Sequence, residues 1–358
     1  MPAYSPETAL ASRADLDACS AAIRQGSRSF FVASLLLPER VRTPAFGLYA
    51  FCRLSDDEVD ETSGGVAAVE RLRERLDRAY DGAPFDDAAD RMLADLVARY
   101  AIPKATPEAL IEGLSWDVEG RRYHDRSELR SYCARVAGTV GVMMTLIMGV
   151  RSPEALARAC DLGVAMQLTN IVRDVGEDAR HGRLYLPMND MRNAGLDPDA
   201  WLCNPVLDDR LRSVLADLLD EAEMLYRRAA QGTSFLPLDC RPAIHAARLI
   251  YSDIGRSAER AGLDVLTQRA RVSGARKLAL LCTALASTAV PSPGPAHSSA
   301  RHARPLPEVL FLVEAVTQLE VGRPTIKDDE HRWWHMSTRF GRVLDIFERL
   351  QQREEFGS

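Results

Sequence analysis

Apolar residues recur at helical spacing along most of the chain. In "VAAVERLRERLDRAYDG" (66–82) and "LDDRLRSVLADLLDEAEMLYRRAAQG" (207–232) they return every three or four positions, giving one apolar and one charged face. Three triplets mark helix starts: Ser5-Pro6-Glu7, Thr106-Pro107-Glu108 and Ser152-Pro153-Glu154. Each places a capping hydroxyl before a proline at the first helical position and an acid in the first turn. Runs with the two-residue period of a strand are scarce. The pattern predicts an all-α protein.

The longest apolar run, Ala137–Val150, is too short to span a membrane and is expected to be a core helix. Residues 288–306, rich in Pro, Ser and Ala, read as a linker. They separate a catalytic unit over residues 10–287 from an extension over 307–358. In the extension, "LPEVLFLVEAVTQL" and "TRFGRVLDIFERLQQREE" have the pattern of two short amphipathic helices. The segment "WWHMSTRFGRVLDIFERL" is expected to dock on the core, with a membrane surface or a partner helix as the alternatives. Because the extension follows every candidate motif, it is also expected to be dispensable for the chemistry.

Composition narrows the function. The chain of 358 residues is 46% hydrophobic and 27% charged, enough for a full core. A net charge of −6 argues against nucleic acid as a partner. Arginine far outnumbers lysine, which is confined to Lys104, Lys277 and Lys327, so bidentate groups suited to phosphate are plentiful. The seven cysteines are dispersed, without a CxxC pair, and fit a reduced protein. The opening "MPAYSPETALASRADLD" lacks the apolar segment of a secretory signal, so the expected location is the cytoplasm.

Two acidic stretches then stand out. In "YAFCRLSDDEVDE" (49–61), Asp56 and Asp60 lie on one helical face, with Arg53 and Tyr49 on the same stripe. A solvated helix end is the plain reading of such a cluster. Against it, carboxylates at a helix C-terminus face the negative end of the dipole, and the residues just before them are those of a buried helix. An EF-hand loop fails for want of its glycine. In "AMQLTNIVRDVGEDARHGRLYLP" (165–187), Asn170, Asp174 and Asp178 step by four, with Gln167 a turn earlier and Arg173 and Arg183 beside them. Their helix should run from Ser152 to near Gly182. Oxygen donors without His or Cys favour a hard cation such as Mg²⁺, shared with the phosphates of a substrate.

"SRSFFVASLLLP" (27–38), "LYAFCRLSDDEVDE" (48–61), "YCARVAGTVGVMM" (132–144) and "QLTNIVRDVGEDARHGRLYLP" (167–187) together resemble the squalene/phytoene synthases, nearest their phytoene-forming bacterial branch. The resemblance covers residues 15–285. It implies the isoprenoid (terpenoid) synthase fold, a single helical bundle with a central cavity. It also implies that Asp56, Asp60, Asn170, Asp174 and Asp178 hold Mg²⁺ or Mn²⁺. Ser27, Arg28 and Ser29 match a flap on the diphosphate, and Tyr49, Arg53, Gln167, Arg173, Tyr251 and Arg269 match its other contacts. Tyr132, at the head of the third segment, is assigned to the substrate site.

The implied reaction joins two geranylgeranyl diphosphates head to head through a cyclopropyl diphosphate and ends in proton loss. No nicotinamide cofactor is expected, since no Gly-x-Gly pair occurs in the chain. Peripheral membrane contact would suit release of an apolar product. The run 137–150 could wall the cavity, with Gly138 and Gly141 leaving space and Met143, Met144 and Met148 adapting to a flexible chain; plain helix packing is the alternative. Farnesyl diphosphate as substrate (a squalene or dehydrosqualene synthase) and a non-catalytic assembly factor are the competing readings. Replacing Asp56 or Asp174 by Asn is expected to abolish turnover without loss of stability. His331 and His335 lack a third metal ligand and read as surface or packing residues. Cys52 and Cys133 read as small hydrophobes.

Overall fold

The computed structural model describes residues 9–61, 65–289 and 303–318, and no strand occurs among them. The chain opens with α1 (Arg13–Gly26), started by a capping box between Ser12 and Asp15, and α2 (Arg28–Ser34). Next come α3 (Glu39–Glu61), whose last turns carry the first acidic stretch, then α4 (Gly65–Tyr80), α5 (Ala88–Tyr100) and α6 (Ala105–Val118), which pack beside it. α7 (Arg126–Cys133) runs through a π-helical turn, Ala134–Gly138, into α8 (Thr139–Ile147). α9 (Pro153–Arg180) carries the second acidic stretch. Short α10 (Met188–Asn193) and α11 (Pro198–Cys203) lead to α12 (Asp209–Gly232), α13 (Arg241–Arg260) and α14 (Gly274–Ala289). α15 (Leu310–Thr317) closes the described chain.

α9 is the axis of the bundle. α8, α12, α13, α15 and the π turn all pack against it, which buries most of its length from Ala155 to Ala179. Ser152 starts it, its hydroxyl accepting from the Ala155 amide, and the helix stops at Arg180, close to the expected Gly182. At Gly163, a Cβ would overlap the Ala137 carbonyl, so only glycine lets α9 and the π turn approach this closely.

Two local expectations change. Thr106 does not cap α6: Lys104 is already helical in conformation and makes no side-chain cap, which leaves Thr106 buried inside the first turn. The apolar run is not one regular helix, because it begins within the π turn before α8. Such turns insert a residue into the helical repeat and are frequent at functional sites.

Of the extension, residues 303–318 are described and lie on the core. Val309, Leu312 and Val316 are fully buried against it. The Glu308 carboxylate accepts from Arg130 Nη2 (2.9 Å) and Ser127 Oγ (2.7 Å), and Arg130 also reaches Glu221 (2.8 Å). The Pro-rich stretch 290–302, the second amphipathic segment, His331 and His335, and the Ser5 triplet lie outside the described residues. Among those described, no helix is long and apolar enough to cross a membrane.

Candidate active site

A cavity of about 1090 Å³ runs through the bundle beside α9. That exceeds the roughly 300–1,000 Å³ of an ordinary small-molecule pocket. At one end its wall is polar. The last turns of α3 supply Tyr49, Arg53 and Asp56; α9 supplies Gln167, Asn170 and Arg173; Ser27 and Ser29 come from the start of α2, Tyr251 from α13, and Arg269 from the segment after α13. Both acidic stretches therefore reach one cavity. Elsewhere the wall is apolar and includes Val136, Ala137, Val140, Gly141, Met144 and Met148. Met143 is instead buried in the core, and Gly138 faces Leu312 of α15.

Electrostatics within the second stretch are uneven. Asp174 accepts from Arg173 (2.8 and 2.5 Å) and from Arg269 (2.8 and 3.1 Å). Burial opposes its ionisation, but the two guanidiniums override it and hold the carboxyl below its ordinary range. Asp178 has the opposite fate: burial, then the neighbouring Asp174 carboxylate, push it up to about 7. Neither Asp174 nor Asp178 is part of the cavity wall. Asn170 lines the cavity, and its buried Oδ1 accepts no hydrogen bond among the described residues. Among these residues no group of three His, Cys, Asp or Glu side chains is arranged to hold a metal ion.

The first stretch is more open. Arg53 pairs with Asp57 at 2.6 Å, one turn on, while Asp56 is exposed at the cavity. The side chains of Asp60 and Arg28 lie outside the described part, although both residues belong to helices. Ser27 caps α2 by accepting from the Phe30 amide (3.3 Å), and the Phe30 and Tyr251 rings pack 5.0 Å apart. Burial raises the phenols of Tyr49 and Tyr251 and the thiol of Cys52, so all three stay protonated at neutral pH.

Tyr132 is not brought to the cavity wall. It is buried, and its hydroxyl donates to Asp117 (2.9 Å), as does that of Tyr185 (2.7 Å). With Tyr123 these rings form a packed trio, centroids 5.3–6.2 Å apart. Asp117, at the end of α6, adds to the charge that raises Asp178. No sequence signal marks Asp117, because its partners Tyr132 and Tyr185 come from two distant segments.

A helical bundle around an apolar cavity with acids and arginines at one end is the arrangement of the isoprenoid synthases. The model of the squalene/phytoene synthase family matches residues 23–276. Phytoene synthases of Rhodobacter capsulatus and Cereibacter sphaeroides are each 50% identical, over 84% and 85% of this chain and 90% and 88% of their own. Among solved structures, a dehydrosqualene synthase bound to a ligand superposes with a TM-score of 0.72 at 30% identity, covering 77% of this chain and 96% of its own. The chain belongs to the squalene/phytoene synthase family.

Proposed function

We propose that the protein is a phytoene synthase. It joins two geranylgeranyl diphosphates head to head through a cyclopropyl diphosphate and releases two diphosphates, the committed step of carotenoid formation. The observation that carries this reading is the stripe of α9 along the cavity, apolar over most positions from Ala155 to Met166 and polar at Gln167, Asn170 and Arg173. From residue 155 to residue 173 a helix rises about 27 Å, room for a long prenyl chain with its diphosphate at the polar end. The two half-identical relatives, both phytoene synthases, support the same reading.

Asp56, Asp60, Asn170, Asp174 and Asp178 would hold Mg²⁺ or Mn²⁺. The fit rests on the unpartnered Asn170 oxygen and on the crowded Asp174–Asp178 pair. Diphosphate oxygens and water complete the coordination of such an ion. When bound, the metal neutralises negative charge on the departing diphosphate. Arg53, Arg173 and Arg269 share that task, and Ser27, Arg28, Ser29, Tyr49, Gln167 and Tyr251 orient the diphosphates. The apolar wall keeps water from the allylic cation. The last step is loss of a proton, so this reading involves no nicotinamide cofactor. The apolar product would pass to a membrane by peripheral contact.

Purified protein given geranylgeranyl diphosphate and Mg²⁺ should release a C40 hydrocarbon with the absorbance of a conjugated triene, equally with and without NADPH. Strict NADPH dependence, or a clear preference for farnesyl diphosphate, would place it with the squalene-forming branch. Arg53→Lys should lower turnover at least about tenfold, or roughly 1.4 kcal/mol, because an ammonium cannot grip two phosphate oxygens in a fixed fork. Near-wild-type steady-state kinetics would put Arg53 outside the diphosphate site.

A further inference from the structure

The last turns of α3 carry five carboxylates, Asp56, Asp57, Glu58, Asp60 and Glu61. Asp56 lines the cavity. Glu58, two residues on and about 200° round the helix, leaves on the opposite side and is gripped from α4. Each of its oxygens has its own arginine: Arg71 Nε donates to Oε2 at 3.2 Å, and Arg75 Nη1 lies 3.7 Å from Oε1. Arg75 is in turn fixed at the start of α5. Its Nε donates to Asp90 Oδ1 (3.2 Å), and its Nη2 lies 3.0 Å from Asp90 Oδ2, an acid with no exposed surface. Asp87, whose side chain caps α5, stands 3.7 Å from the same Nη2. One guanidinium thus joins α3, α4 and α5.

The end of α3 needs such a brace. Its carboxylates repel one another and face the negative end of the helix dipole. The last carbonyls of a helix also lack intrahelical partners, so this is the part that frays first. Mg²⁺, in contrast, demands near-ideal octahedral geometry, and ligands serve it only when held to within about 0.5 Å. Arg71 and Arg75 stand one turn apart on α4, and Leu72 and Leu76 beside them are fully buried. The support is therefore a helix anchored in the core, and Glu58 is the point at which it takes hold of α3.

We propose that Arg75, acting through Glu58, is a positioning residue that holds the end of α3 so that Asp56 and Asp60 meet Mg²⁺ in place. Neither Arg75 nor Glu58 is part of the cavity wall. The inference rests on the reading of Asp56 and Asp60 as metal ligands.

The sign of one measurement separates positioning from charge. Removing a cation near an acidic site, and leaving Glu58 with one cation fewer, tightens Mg²⁺ binding if electrostatics alone matters. Loss of position weakens it. Arg75→Gln should raise the half-saturating Mg²⁺ concentration at least about tenfold, the scale for losing a group that orients metal ligands, with kcat at saturating Mg²⁺ little changed. Thermal melts titrated with Mg²⁺ at fixed inorganic diphosphate should show the same weakening without turnover. Burial already pushes Asp90 up to about 6, so in the variant it can take a proton instead of standing as an unpaired charge. If Arg75→Gln still fails to fold, Arg71→Gln, on the more exposed side of Glu58, decides by the same sign. Unchanged or tighter Mg²⁺ binding in the folded variant overturns the proposal. A wild type whose turnover and melting both ignore Mg²⁺ overturns instead the metal-site reading beneath it.

Discussion

Asp174→Asn should cut turnover severely and also lower the melting temperature of the metal-free protein, whereas Asp178→Asn should cut turnover as severely and raise it. The two acids stand one turn apart on α9 and share the expected role of holding a metal; the expectation that Asp174→Asn leaves stability intact changes once its partners are known. Structure separates them through their partners. Asp174 carries four hydrogen bonds from Arg173 and Arg269, so neutralising it strips Arg173 of its paired carboxylate and leaves Arg269 with Glu177 alone (3.3 Å). The cost should be about 2 kcal/mol, below the figure for a fully buried pair because Arg269 is half exposed. Asp178 is raised by burial and by Asp174, so its charged form is a burden in the empty site. Relieving it should gain roughly 2 kcal/mol after allowing for screening.

The pH dependences have opposite signs. A carboxyl with a lowered folded pKa contributes stability above its unfolded value and loses it as pH falls. The Asp174→Asn deficit should therefore be present at neutral pH and shrink in acid. A carboxyl raised to about 7 begins to cost stability above its unfolded value, and the cost is complete once pH exceeds the folded one. The Asp178→Asn gain should be nearly absent at about pH 4 and full at about pH 8. Thermal melts of the metal-free proteins across this range check both. Equal shifts for the two variants would mean that the arginines do not hold Asp174 in solution. For turnover, the expected loss is about 10²–10³-fold in each case, the scale for removing one stabiliser of developing charge.

What could be read without coordinates was mostly local. Asn170, Asp174 and Asp178 share a face because four residues make one helical turn, and Ser152 caps α9 because a hydroxyl before a proline has few other uses. Thr106 shows the limit of that rule: the same triplet fails where the chain is already helical at Lys104. The π turn was hidden because an apolar run tolerates one extra residue without showing a break. Asp117 and Tyr185, Asp161 and Arg228, and Arg130 and Glu308 meet across long sequence separations, so no periodicity could pair them. Arg53 is an intermediate case. Its stripe was legible, yet the acid that grips it is Asp57 rather than the motif acid beside it.

A chain ended at Ala289 should melt several degrees below one ended at Gln318. The whole extension is expected to be dispensable for the chemistry because every motif precedes it, an expectation that does not extend to stability. Residues 303–318 are nonetheless part of the packed core. Removing them uncovers the faces that bury Val309, Leu312 and Val316, worth about 1.5–3 kcal/mol each before the entropy of ordering the segment is subtracted. It also strands Arg130 beside Glu221 alone and takes the carbonyls of Ala303 and Arg304 from Arg158 and Arg228. After ordering costs, a net loss of roughly 3 kcal/mol is expected, or about 5 °C in a domain of this size. Losing the Gly138–Leu312 contact also frees the outer side of the π turn whose inner side walls the cavity. Calorimetry and steady-state turnover on the two shortened chains decide the matter. Wild-type melting of the chain ended at Ala289 would show that the docked segment contributes nothing to stability.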